Sequence, residues 1–151
     1  PPLWTVLLAS LDAGVQEEIF MRLFLVTLFA WVGGLKWRDT EGRPHSRVLW
    51  AAIVAAAIIF GWAHVDDHVM NHGMHASLAR SMTINTAFGI DFGWAYWRLG
   101  FECAMLAHFL VDAVGSAIVI PIFLSGDPLL STVVAISLIL AGVGSWRLLA
   151  R

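Results

Sequence analysis

The chain has 151 residues, of which 59% are hydrophobic and 13% charged, and nine Lys/Arg against eleven Asp/Glu give a net charge of −2. Soluble domains carry roughly 25% charged residues. With a mean hydropathy of +0.77, the composition excludes an ordinary soluble domain and a disordered chain, and the missing basic excess excludes a nucleic-acid binder. What remains is an all-α polytopic membrane protein, a transmembrane helical bundle in one membrane-embedded domain over 1–151. The one cysteine, Cys103, excludes an internal disulfide and a Cys-based metal cluster. A chain that begins at Pro1 is expected to be a fragment, which leaves room for helices upstream.

A spanning helix needs about 20 mainly apolar residues, and windows of that size predict five. The first covers Leu3 to about Val32 and is interrupted by Asp12, Glu17, Glu18 and Arg22. The second is Val48–Val65, the third Leu78–Tyr96, the fourth Phe101–Leu124 and the fifth Leu129–Leu149. Breakers separate them: Gly33-Gly34 with the polar run to Arg47, the Asp/His segment 66–75, Gly100, and Ser125-Gly126-Asp127-Pro128. Lys36, Arg38, Arg43, Arg47, Arg98, Arg147 and Arg151 fall on one side if all five segments cross, which makes that side cytoplasmic. The other side carries Asp66, Asp67 and Asp127. Trp31, Trp37, Trp50, Trp94, Trp97 and Trp146 cluster near span ends, as interfacial anchors do.

Ionisable groups inside spans are costly and mark function. In span one, Glu18 and Arg22 are four apart and share a helix face, so they can pair, whereas Glu17 points about 100° away. The simplest reading of the pair, a salt bridge fixing helix register, leaves the second carboxylate without a role. A carboxylate in a low-dielectric cavity suits a general base. Span two ends in Phe60-Gly61-Trp62-Ala63-His64, where a lone His is most simply an interfacial or capping residue. In span four, His108 and Asp112 are four apart and project to one side, most simply as a local hydrogen bond. Three such groups on three long apolar helices are hard to dismiss together.

The order Glu17-Glu18 to Arg22, Phe60 to His64, and His108 to Asp112 resembles the CPBP intramembrane proteases, which include the type II CAAX prenyl endopeptidases and Abi-like bacteriocin-processing or immunity proteins. Gly93-Trp94-Ala95-Tyr96-Trp97-Arg98-Leu99-Gly100 is similar to the Gly- and aromatic-rich approach to that family's last motif. The resemblance covers about 10–120. It implies an intramembrane endopeptidase acting on a membrane-associated, prenylated or other peptide substrate, in a multi-pass protein of a prokaryotic plasma membrane, with the bilayer and the substrate as partners. Glu17 would activate water with His64 sharing that role, His108 and Asp112 would stabilise the oxyanion, and Glu18 and Arg22 would organise the site. The family's last motif often ends in Asn, and Asp112 can donate a hydrogen bond only when protonated. No cofactor is expected, although Glu17, His64 and His108 are the right types for a zinc site.

His64, His68 and His72 fall at i, i+4, i+8 spacing, with His75 beyond, a possible metal face that reads more simply as incidental histidines in a polar loop. Asn85, Gly89 and Gly93 form a small-residue stripe for close packing, Asp91 is expected to pack against a polar cavity, and Glu102 is expected in the first turn of span four. Straight spans would set His64 and His108 roughly 10–15 Å apart in depth, an offset the fold has to remove for one active site to form. The chain has no His-Glu-x-x-His, no rhomboid-type Gly-x-Ser-Gly, no Gly-x-Gly-Asp and no Glu-x-x-His, and its one lysine is in a loop. A non-enzymatic scaffold or immunity protein, and a metal-handling protein using the His-rich loop, are the alternatives from other classes.

Overall fold

The computed structural model describes residues 2–65, 75–130, 132–134 and 136–137. Leu3–Glu18 (α1), a π-helical stretch Ile19–Val26 and Thr27–Gly34 (α2) form one unbroken rod. The junction residues Ile19 (φ −58°, ψ −48°) and Thr27 (φ −64°, ψ −43°) are themselves right-handed helical, so the chain never leaves the helix. Ser46–Ala63 (α3), His75–Leu99 (α4) and Phe101–Val114 (α5) follow. A second π-helical stretch, Gly115–Val119, leads from α5 into Ile120–Leu124 (α6). The described residues are helical apart from turns and one isolated bridge between Arg38 and Pro44.

The first four expected spans therefore coincide with helices to within a few residues. The fifth falls mostly outside the described residues, as do Arg147 and Arg151. Two helices, Ser46–Ala63 and Phe101–Ile122, are long and apolar enough to cross a membrane.

Which side chains turn inward is informative. On the π-helical stretch Arg22 is buried beside Met21, Leu25 and Val26, while Ile19, Phe20, Leu23 and Phe24 are exposed. Charge inside and bulky apolar groups outside reverse the pattern of a soluble protein and suit an apolar solvent. Apolar side chains from this stretch, α3 and α4 (Met21, Leu25, Ile53, Ala56, Phe60 and Phe92) build the core.

Helices α3 and α4 run antiparallel at close range because glycines face the contact. A Cβ on Gly89 would stand 2.9 Å from Ala57 Cα, and one on Gly93 would stand 2.7 Å from an Ile53 methyl. Gly89 and Gly93 of the expected stripe thus serve the packing. Asp91, on the opposite side of the same turns, is exposed. The inward positions on that turn belong to Gly89, Phe92 and Gly93, and helical periodicity sends residue 91 outward.

Gly100 makes the corner between α4 and α5 with φ +101°, a conformation that L-residues with a Cβ adopt only under strain. Glu102 occupies the first turn of α5 as expected. Between α2 and α3 the loop is pinned by Asp39, whose Oδ1 accepts backbone N–H bonds from Arg43 (2.8 Å) and Glu41 (2.9 Å). Those bonds, Arg43 first, hold its carboxyl below the usual carboxylate range.

Gly89→Val should force α3 and α4 apart and destabilise the protein by about 1–3 kcal/mol. Gly115→Ala, where an added Cβ meets nothing within 4 Å, should change little. Thermal unfolding of both variants in detergent checks the contrast.

Candidate active site

The three motifs converge. Glu17 and Glu18 come from the end of α1, Arg22 from the π-helical stretch, His64 from the end of α3, and His108 and Asp112 from α5. Glu18 is 0% exposed, Arg22 1% and His108 2%. The Arg22 guanidinium lies 3.1 Å from Glu18 Oε1, donates to the Gly89 carbonyl at 3.2 Å, and sits over the rings of Phe60 (4.9 Å) and Phe92 (5.4 Å). A guanidinium is held this way by charge, a carbonyl and two aromatic faces at once. Packing at Gly89 therefore matters twice, because the same close approach brings its carbonyl within reach of Arg22.

Glu18 has a second partner, which sequence reasoning did not assign. His108 Nδ1 donates to Glu18 Oε1 at 2.8 Å. The ring is stacked on Phe92 (centroids 4.6 Å apart, 18° between planes) and meets Phe60 edge-on at 5.7 Å. Its other nitrogen, Nε2, faces Glu17 Oε2 at 3.7 Å and Asp112 Oδ2 at 3.5 Å.

His64 is oriented by its own helix. Its Nδ1 lies 2.8 Å from the Phe60 carbonyl, and since a carbonyl only accepts, Nδ1 carries the proton and Nε2 of the neutral ring carries the lone pair. That Nε2 faces Glu17 Oε2 at 3.5 Å. Both histidines thus spend Nδ1 on structure and turn Nε2 to one carboxylate oxygen. Glu17 Oε2 is buried and makes no hydrogen bond among the described residues, although the side chain as a whole is 33% exposed.

The depth offset between His64 and His108 is absent for a local reason. His64 folds back one turn onto Phe60, with ring centroids 4.4 Å apart, as helical side chains lean toward their own N-terminus. Phe92 and His108 pair across the Gly100 corner, each eight residues from it, and Phe60 touches Phe92 as well. The aromatic rings span the distance that counting residues along straight helices leaves open.

A cavity of about 660 Å³ adjoins the site. His64, His108 and Asp112 line it together with α1 residues between Thr5 and Ala13, Asn85, Phe88, Phe92 and Ser116. Its lining is mainly apolar, suited to a peptide or acyl-like segment with few polar groups. Phe92 and Asn85 were not legible as site residues, because a Phe or an Asn in a small-residue helix reads as packing.

Glu17, His64 and His108 are the right types for zinc, yet among the described residues no group of three or more His, Cys, Asp and Glu is disposed to hold a metal ion. The proposed chemistry uses side chains and water. His68 and His72 lie outside the described residues, as does the side chain of His75.

A family model for type II CAAX prenyl endopeptidase Rce1-like proteins matches residues 1–114, which takes in all seven motif residues. No curated protein and no solved structure matches the chain.

Arg22→Leu leaves Glu18 as a buried charge with no cationic partner and should cost about 3–5 kcal/mol. The double variant Glu18→Gln/Arg22→Met, which removes both charges, should recover part of that loss. Equilibrium unfolding in a mild detergent, read by circular dichroism, separates the two.

Proposed function

Because the chain belongs to the type II CAAX prenyl endopeptidase Rce1-like family, we propose that it is an intramembrane endopeptidase in which Glu17 activates water for attack on a peptide bond. The observation that carries this reading is the pointing of two imidazole Nε2 atoms at Glu17 Oε2, 3.5 and 3.7 Å away. All three atoms can contact one water molecule, and a carboxylate oxygen with no other hydrogen bond is available to take its proton.

In the attack, the water oxygen bonds to the carbonyl carbon, its proton passes to Glu17 Oε2, and the carbonyl becomes a tetrahedral oxyanion. Collapse re-forms the carbonyl and breaks the C–N bond, and the proton held by Glu17, with His64 alongside, goes to the departing amine. His108, held at Nδ1 by Glu18, stabilises the developing negative charge in its doubly protonated form, in which Nε2–H donates to the oxyanion and the buried carboxylate offsets the ring's charge. Glu18 and Arg22 touch no reacting atom and act as positioning residues. The site is partly enclosed, so electrostatic contacts within it act in a low dielectric.

The substrate is a peptide at the membrane, prenylated or otherwise lipid-associated. The apolar cavity beside the histidines supports this, as does the family. The chain crosses the bilayer about five times with the Lys36–Arg47 loop on the cytoplasmic side, in the plasma membrane of a prokaryote. Two apolar helices of spanning length and the apolar exterior around a buried ion pair support the membrane setting.

Glu17→Gln should lower kcat for a fluorogenic farnesylated peptide ending in Cys-aliphatic-aliphatic-X by about 10³-fold or more, with the unfolding temperature unchanged. His108→Ala should do the same. Full activity in both variants would overturn the enzymatic reading and leave a membrane scaffold that keeps the motifs for structure.

A further inference from the structure

Peptide hydrolysis needs a donor for the oxyanion, and the fourth residue after His108 is a carboxylate. Asp112 Oδ2 sits 3.5 Å from His108 Nε2, and an ionised carboxyl only accepts. One side-chain amide lines the same cavity as His64, His108 and Asp112, namely Asn85 on α4. We propose that Asn85 binds the scissile carbonyl oxygen and donates to the oxyanion, supplying from α4 the amide that α5 lacks. The inference rests on the proteolytic reading of the site.

Asn85 is fixed in place from both sides. One turn before it, Ser81 Oγ donates to the carbonyl of His64 at 3.0 Å. One turn after it, the Gly89 carbonyl accepts from Arg22 at 3.2 Å. The Ser81–Asn85–Gly89 line of α4 is therefore tied at one end to the backbone of His64 and at the other to the buried ion pair, and the amide between them is held against the cavity. A donor placed in advance costs no reorganisation when charge develops.

The amide also has an N–H to give. Asn85 Nδ2 donates one bond to the Ser81 carbonyl at 2.9 Å, and its second contact, to Ser81 Oγ, is 3.4 Å long. That second bond is longer than good N–H···O bonds, so exchanging it for an oxyanion replaces a weak neutral bond with a charge-assisted one. Ser116 lines the same cavity as an exposed hydroxyl on the second π-helical stretch, and it has no comparable anchoring.

The test uses the whole chain in lipid nanodiscs with the fluorogenic farnesylated peptide. Asn85→Asp, isosteric but without the donor, and Asn85→Leu should each lower kcat by about 10²-fold and leave KM within about threefold. Placing an amide on α5 should compensate: Asn85→Leu/Asp112→Asn should regain at least about tenfold in kcat over Asn85→Leu. A merely structural role for Asn85 predicts no such rescue. Cleavage by the wild type with the Asn85 variants within about twofold of it, or a loss produced by Ser116→Ala instead, overturns the inference alone. Failure of the wild type to cleave overturns the proposed function and this inference together.

Discussion

A buried ion pair holds the molecule in register. Glu18 and Arg22 lie a helical turn apart with no exposure worth the name, and neither is tolerable there alone. Arg22 faces Glu18, donates to the Gly89 carbonyl and lies over two phenyl faces, which ties the first helix to α3 and α4. Glu18 spends the same oxygen on His108, which ties it to α5. Four helices are thus referred to one pair of charges, and the His108 imidazole is oriented by the group that fixes the packing.

Glycine at the α3–α4 contact and the aromatic cluster follow from that constraint. The Gly89 carbonyl reaches Arg22 only because a side chain is missing where α4 crosses Ala57. Phe92 stacks on His108 and faces the guanidinium, so one ring serves both the ion pair and the site. Glu17, next in sequence to Glu18 but turned to another face, is left partly exposed beside the cavity, free of structural duty and set against two Nε2 atoms. Adjacent carboxylates thereby divide into one that builds and one left for the proposed chemistry. The π-helical stretches begin directly after Glu18 and three residues after Asp112, and such widened turns occur often at functional sites.

Much of this was readable before the fold. Long apolar runs and the breakers at Gly33-Gly34, Gly100 and Ser125–Pro128 place four helices to within a few residues, because helix length and turn chemistry are local properties. Helical spacing pairs Glu18 with Arg22 and separates Glu17 for the same reason. What could not be read depends on contacts between helices. That Glu18 orients His108 needs α1 laid against α5, and the closing of the depth offset needs rings whose directions no spacing gives. Asp91 turned outward, because tertiary packing chose which face of α4 carries the glycines. Asn85 looked like part of a packing stripe, and only the bonds at Ser81 and Gly89 set it against the cavity. The π-helical stretches have no signature in the residues that form them.

The most direct measurement follows heavy-oxygen-labelled water through a single turnover with enzyme in excess over the farnesylated peptide. Glu17 acting as a general base puts the label in the new carboxyl terminus of the product and none in its own side chain, as read by mass spectrometry of product and of the digested protein. Label found in the Glu17 carboxylate, which would mark an acyl-enzyme on that oxygen, or no cleavage at all, would contradict water activation at this site.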